Sequence, residues 1–301
     1  LMCNEKGMII DDGVSTCIND NHFIMTTTTG GAASVYSALE MWLQTEWSDL
    51  DVHLSSVTDQ FATVAVVGPN ARNLMKVLCH DIDFERDNFK FMQWRPGTVC
   101  GVQARVMRIS FSGELAYEIN IEANYGRYIW DEVALAGKPW NITPYGTESM
   151  HVLRAEKGYI IVGQDTDGSM TPMDVNMKWI LAKDKPFSYI GRRSFSISAL
   201  NSDDRFQLVG LLTKDAHVVL PEGSHIINNK GGSIGYVTSS YFSPILRRSI
   251  AMAQLKGGLS KMTEIVLVKI VQEKQGLKEI PCEVSSSVFY DIEGEKVDGN
   301  E

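Results

Sequence analysis

A chain of 301 residues, 44% hydrophobic and 22% charged, has a globular composition and length enough for two or three cores. Its net charge of −9, with acids and bases well mixed, excludes a nucleic-acid surface, which needs a concentrated basic patch, but leaves room for an anionic ligand held by a few local cations. No apolar run approaches the roughly 20 residues that cross a bilayer, and Leu1-Met2-Cys3-Asn4-Glu5-Lys6-Gly7 is too polar for a secretory signal, so no membrane contact and a cytoplasmic location are expected.

Gly7-Met8-Ile9-Ile10 reads as the edge of a folded strand, and with no initial Met the chain is expected to begin inside a larger polypeptide. Residues 9–29 read as a β-hairpin, with Asp11-Asp12-Gly13 in its first arm and Asn19-Asp20-Asn21 at the turn. Gly30-Gly31 ends it, and Val35, Leu39, Trp42 and Leu43 then fall at helical spacing over 32–47. Residues 52–67 are strand-rich, and Ala62-Thr63-Val64-Ala65-Val66-Val67 is a buried strand. It stops at Gly68-Pro69-Asn70 before a helix through Arg72, Leu74, Met75 and Leu78, an α+β element. Strands at 101–110 and 117–121 flank the Ser112-Gly113-Glu114 turn. An amphipathic helix follows at 125–136, then a helix at 147–157 closed by Gly158 in the left-handed conformation. After Pro186 the texture changes to short strands at 206–212, 235–240, 249–255, 264–271 and 281–288 with glycine-rich turns, which suits a small β-barrel or sandwich. The tail from Glu293 is charged and expected to fray.

Cys3, Cys17, Cys79, Cys100 and Cys282 are odd in number and form no Cys-x-x-Cys pair, so they read as free thiols. The six histidines are scattered without metal-ligand spacing, and no dinucleotide, Walker or Gly-x-Ser-x-Gly pattern occurs. Three segments can carry chemistry. In Asp11-Asp12, neighbours on a strand face opposite ways, so one carboxylate can enter a pocket and orient an amine; a solvated acidic turn is the alternative. Around Gly113 and Tyr117, Glu114 and Glu118 can converge with an aromatic ring, a carboxylate accepting paired hydrogen bonds from a flat heterocycle that the ring covers; an ordinary hairpin is the alternative. On the last helix of this half, His151, Arg154 and Gly158 lie about one turn apart, and Arg154 either meets a carboxylate or forms a structural ion pair.

The order of these segments resembles the aminomethyltransferase family, the glycine-cleavage T-proteins. Gly7-Met8-Ile9-Ile10-Asp11-Asp12 is similar to its Gly-x-x-x-Asp-Asp strand, Val67-Gly68-Pro69-Asn70-Ala71 to its Gln-Gly-Pro-x-Ala turn, and Ser112-Gly113-Glu114-Leu115-Ala116-Tyr117-Glu118-Ile119 to its Thr-Gly-Glu-x-x-Tyr-Glu-Ile. Leu153-Arg154-Ala155-Glu156-Lys157-Gly158 follows its Leu-Arg-Leu-Glu-x-Gly. Within the family, Thr26-Thr27-Thr28-Thr29-Gly30, Ile142-Thr143-Pro144-Tyr145-Gly146 and Gly163-Gln164-Asp165-Thr166-Asp167-Gly168 resemble the C-terminal part of sarcosine oxidase α subunits.

The resemblance implies an α+β fold: the folate-binding aminomethyltransferase cloverleaf with a C-terminal β-barrel, N-terminally truncated. Residues 1–190 would be the folate-binding domain, with a truncated first subdomain and an inserted α+β subdomain at about 52–140, and residues 191–301 the barrel. It implies transfer of one carbon to tetrahydrofolate, the imine from sarcosine oxidation yielding 5,10-methylenetetrahydrofolate. FAD, FMN and NAD belong to the rest of the complex, and the β, γ and δ oxidase subunits are partners. Asp12 takes the catalytic position, orienting the attacking nitrogen and assisting proton movement. Glu118 matches the pterin anchor and Phe111 the stacking surface, with Tyr117, His151, Arg154, Met25 and Thr27 completing the folate-binding set. Two departures stand out: Phe111 replaces a family tyrosine, and His151 a family arginine. The alternatives are a stand-alone T-protein or folate-dependent demethylase, and, in another class, a non-catalytic folate-binding scaffold; scaffold relatives lack the Asp-Asp strand and carry a cysteine signature absent here.

Overall fold

Polar and glycine breaks keep the first strands short. The computed structural model describes residues 1–272 and 276–299. Strand β1 (Met2–Cys3) pairs antiparallel with β2 (Ile9–Asp11), and β3 (Ser15–Asn19) with β4 (His22–Met25). The hairpin is thus shorter than predicted: Asp11 ends a different ribbon, and Asp12-Gly13 lies in the link between the two. Gly13 marks the reason, because a Cβ there would overlap the Thr26 carbonyl, and only glycine lets the chain pass so close.

The chain continues through α1 (Ala32–Thr45), β5 (Phe61–Val67), α2 (Ala71–Leu78), β6 (Trp94–Val99), β7 (Val102–Met107), β8 (Ala116–Glu122), α3 (Gly126–Ala136) and α4 (Thr147–Glu156). Strands β9 (Phe206–Thr213), β10 (His225–Ile227), β11 (Ser233–Ser243), β12 (Arg248–Lys256), β13 (Ile265–Gln272) and β14 (Gly276–Ser285) follow. Two compact units result: residues 1–31 with 154–290, and residues 32–153 with the segment from Asp291 on.

In the first unit the last six strands close into a barrel of order β10-β11-β12-β9-β14-β13. Alternation sends Val209 and Leu211 of β9 and Ala251, Ala253 and Leu255 of β12 inward, and the small alanines sit opposite the larger residues (Ala251 beside Leu211, Ala253 beside Val209), so small and large side chains alternate across the interior. A smaller core of Ile9, Ala155, Ile160, Met170, Leu208, Ile250 and Met252 ties the N-terminal ribbon into the same unit, and Ile9 N donates to Met170 O at 2.8 Å. Gly158, after α4, has φ +74°, the predicted left-handed cap.

In the second unit a four-stranded antiparallel sheet of order β5-β8-β7-β6 carries α2 and α3 against one face. Leu74, Met75 and Leu78 of α2 and Ile129 and Val133 of α3 pack on Val64, Val66, Val106, Tyr117, Ile119 and Ile121. Strand β6 escaped sequence detection because Trp94-Arg95-Pro96-Gly97 carries strand-breaking residues. The sheet accepts them because β6 is an edge strand, where proline's missing donor is not needed. The three-residue β10 was likewise too short to leave a period.

The expected fraying from Glu293 is not seen over residues 293–299, and residues 300–301 lie outside the described residues. Residues 295–298 form a helical turn, and Arg72 Nη2 donates to Asp298 O at 2.8 Å while Arg108 Nη2 donates to Asp298 Oδ1 at 2.9 Å. Charge, read in the sequence as a mark of solvation, here supplies a carboxylate acceptor for the buried Arg108, while the Asp298 carbonyl serves the buried Arg72.

Candidate functional site

In the first unit the two adjacent aspartates divide at the end of β2, Asp11 closing the strand and Asp12 opening the link that follows. Asp11 is 1% exposed and accepts hydrogen bonds from Asp12 N at 2.8 Å and from Thr28 N and Thr28 Oγ1, both at 3.2 Å. It locks the 28–31 turn, where Gly31 packs so closely that a Cβ would overlap the Asp11 carboxylate. Asp12 is half-buried, and among the described residues its carboxyl has no hydrogen-bond or ion-pair partner. Burial pushes its pKa up, and the neighbouring charge of Asp11 pushes it further the same way. A partly desolvated carboxyl on a rigid mount, holding its proton more tightly than an ordinary aspartate, is suited to receive or give a proton near an amine.

Gly13 abuts residues 26–27, which brings Thr27 to the segment that carries Asp12. Thr27 Oγ1 donates to Thr28 O at 2.8 Å, and Met25, at the end of β4, is 45% exposed. Arg154 is placed otherwise than a ligand-facing arginine. It is 0% exposed, and its guanidinium donates to Asp165 Oδ2 at 2.5 Å, Ser239 Oγ at 2.7 Å and Tyr159 O at 3.1 Å. Asp165 also accepts from Ile161 N at 2.8 Å, Thr238 Oγ1 at 2.6 Å and Ser239 Oγ at 2.7 Å. Of the two roles open to Arg154, the geometry matches the structural ion pair.

In the second unit strand alternation separates Tyr117 from Glu118. Tyr117 is 0% exposed in the helix-facing core, with Phe84 edge-on at 5.3 Å and Phe89 at 5.7 Å between ring centres. The expected convergence of this ring with the carboxylate does not occur, because consecutive strand residues point to opposite faces. Glu118 takes the other face, between Ala65 of β5 and Met107 of β7. It is half-buried, has no hydrogen-bond or ion-pair partner among the described residues, and burial raises its pKa. On the same face Arg105 Nη1 donates to Asn120 Oδ1 at 3.0 Å, so the polar groups beside Glu118 are satisfied while Glu118 is not.

Phe111 lies in the loop between β7 and β8 and is 37% exposed; His151 is half-buried on α4. Tyr145 was missed by sequence reading. Burial raises its pKa, and the charge of Glu118 adds to the rise, which puts the phenol in that carboxylate's field. Its only sequence signal was the Pro144-Tyr145-Gly146 turn just before α4. Among the described residues no group of histidine, cysteine and acidic side chains is arranged to hold a metal.

The GCVT N-terminal domain model matches residues 1–185, and the glycine cleavage T-protein C-terminal barrel domain model matches residues 207–291. The chain is 46% identical to the sarcosine oxidase α subunit of Corynebacterium sp. (strain P-1), an alignment covering 99% of this chain and 31% of that one. It is 37% identical to the sarcosine oxidase α subunit of Rhizobium meliloti, over 99% of this chain and 30% of that one. It is 30% identical to the aminomethyltransferase of Thermotoga petrophila, over 84% of this chain and 66% of that one. The chain thus spans about a third of the length of the oxidase subunits it matches. The crystal structure of glycine cleavage system aminomethyltransferase T from Bartonella henselae shares the fold, with a TM-score of 0.80 at 21% identity over 96% of this chain and 74% of that one. With both family domains matched in order and a six-stranded barrel closing the first unit, the chain belongs to the glycine cleavage T-protein family.

Proposed function

We propose that this chain is the tetrahydrofolate-dependent module of a sarcosine oxidase α subunit and forms 5,10-methylenetetrahydrofolate from the imine left by sarcosine oxidation. The observation that carries the proposal is Asp12: half-buried, unpartnered among the described residues, raised in pKa, and fixed by an adjacent aspartate whose own carboxylate is fully engaged. A half-buried carboxyl that bonds to nothing among the described residues supports a role toward a ligand. Similarity to oxidase α subunits along 99% of the chain supports the choice of imine over the glycine-cleavage substrate.

Tetrahydrofolate supplies two nitrogen nucleophiles that bond the imine carbon in turn; their two hydrogens end on the imine nitrogen, which leaves as the amine of glycine. The chain's part is to hold and to move protons. Asp12 orients the attacking nitrogen and passes its proton toward the departing amine. Glu118 accepts paired hydrogen bonds from the pterin edge, and the exposed Phe111 ring offers a stacking face. Thr27 and Met25 in the first unit and His151 in the second are assigned to ligand contact, whereas Arg154 and Tyr117 serve the cores of their own units. The flavin and nicotinamide groups, and the β, γ and δ subunits, belong to the remainder of the larger assembly.

Glu118→Gln is expected to weaken tetrahydrofolate binding by about 1–3 kcal/mol, the range for a charge-assisted hydrogen bond. An unchanged dissociation constant in a calorimetric titration refutes the anchor role. The stability of the same variant carries a sign. Because burial raises the Glu118 pKa, its protonated form favours folding at acid pH, and that contribution disappears as pH rises through the raised value. The glutamine variant should therefore melt at or above the parent at neutral pH, with the difference shrinking or reversing on acidification. A variant melting lower than the parent at neutral pH contradicts this.

A further inference from the structure

Among the charges that the second unit buries outside the proposed function, Arg108 is the deepest. Arg108 is 1% exposed and opens the 108–115 loop that carries Phe111. Its backbone is fixed by Arg108 N donating to Gln93 O at 2.8 Å and by Met92 N donating to Arg108 O at 2.9 Å. Its guanidinium donates to the Phe89 carbonyl, to Val297 O at 3.2 Å and to Asp298 Oδ1 at 2.9 Å. At the far end of the loop, Leu115 is 1% exposed, and Gly68 N donates to Leu115 O at 2.8 Å. Gly299, at φ +70°, lies directly against it: a Cβ on Gly299 would stand 2.9 Å from Leu115 Cδ2. Three consecutive residues, 297–299, therefore grip both ends of one loop.

We propose that this segment is a strap that positions the Phe111 loop for its ligand, with Asp298 as the positioning residue; the inference rests on the folate reading above. Asp298 gathers three arginines. Its carboxylate accepts from Arg108 and, at 3.2 Å, from Arg86 Nη2, and its carbonyl accepts from Arg72 Nη2 at 2.8 Å. The Asp298 side chain is 39% exposed, so its ion pairs add little stability in water. Its effect is geometric: it sets the direction of the fully buried Arg108, and Arg108 sets where the loop leaves the sheet. Sequence distance explains why no motif shows this, since Arg108 and Asp298 stand 190 residues apart.

The test uses the whole chain with tetrahydrofolate as the probe. Asp298→Ala should weaken binding by about fivefold to thirtyfold, Asp298→Glu should restore part of it, and amide exchange across residues 109–114 should quicken. Combined with Phe111→Ala, Asp298→Ala should cost little more than Phe111→Ala alone, because both act through the same ring. Independent, multiplying losses overturn the strap, as does unchanged exchange in the loop. Should Asp298→Ala fail to fold, Asp298→Asn, which keeps an acceptor for Arg108 but loses the charge, should show the same changes in smaller degree, and binding and loop exchange both unchanged in it overturn the strap. If the unaltered chain binds no tetrahydrofolate, the folate reading falls, and loop exchange in the Asp298 variants then decides the strap by itself.

Discussion

Asp12→Ala, placed in the full-length protein that carries this chain, is expected to cut 5,10-methylenetetrahydrofolate formation by about 10²–10⁴-fold, the usual contribution of a positioned proton-transfer group. Sarcosine oxidation should continue, with the released carbon appearing as formaldehyde. The expectation follows from the division of labour between neighbours: Asp11 holds the turn, and the Asp12 carboxyl has no bonding partner among the described residues. Removing the Asp12 carboxyl therefore should leave the thermal transition nearly unmoved, unlike Asp11→Ala, which strips the 28–31 turn of its acceptor. Methylenetetrahydrofolate formed at the parent rate would sink the assignment. If both activities vanish together with the transition, the isosteric Asp12→Asn separates misfolding from chemistry. Because burial and then the Asp11 charge raise the Asp12 pKa, the protonated form persists to higher pH than in an ordinary aspartate. A rate limb that depends on its ionised form should rise later with pH than the unperturbed carboxylate range allows.

Asp165→Ala is expected to destabilise the first unit by about 3–5 kcal/mol, the cost of leaving one member of a buried ion pair alone. Total stabilities run about 5–15 kcal/mol, so this removes much of the margin. The magnitude decides between two descriptions of Arg154. Both partners are 0% exposed, and the Asp165 carboxylate takes four protein donors, so the guanidinium has no comparable replacement once it is gone. Urea unfolding measures the loss; a change below about 1 kcal/mol would mean that water or a ligand satisfies Arg154 and that the pair is not structural. A paired replacement by apolar residues of similar volume, Arg154→Met with Asp165→Leu, should recover part of the loss.

Much of this was legible in the sequence where a short-range rule operates. That only one of Asp11 and Asp12 is engaged in the fold was anticipated by the two-residue period of a strand, although Asp12 falls just past the strand end, and the left-handed Gly158 follows from its place after a helix. The barrel strands announced themselves through alternation broken by glycine turns. The same period, applied one step further, separates Tyr117 from Glu118; reading the pair as one motif hid it. Other features depend on contacts that sequence proximity does not encode. Edge position lets β6 keep Pro96, the hub around Asp165 draws Ser239 from 74 residues away, and Asp298 near the end is matched to Arg86 and Arg108 far upstream. Tyr145 falls in the field of Glu118 through tertiary folding alone.

The strap also bears on synthesis. The ribosome delivers Arg108 long before its acceptor: the intervening 190 residues take roughly 10–40 s at about 5–20 residues per second. Throughout that interval the sheet and helices of the second unit exist without the segment that closes over Arg108, and the whole barrel is made in between. Nascent chains stalled before residue 297 should leave this unit open to protease around residues 108–115, and emergence of residues 297–299 should seal it.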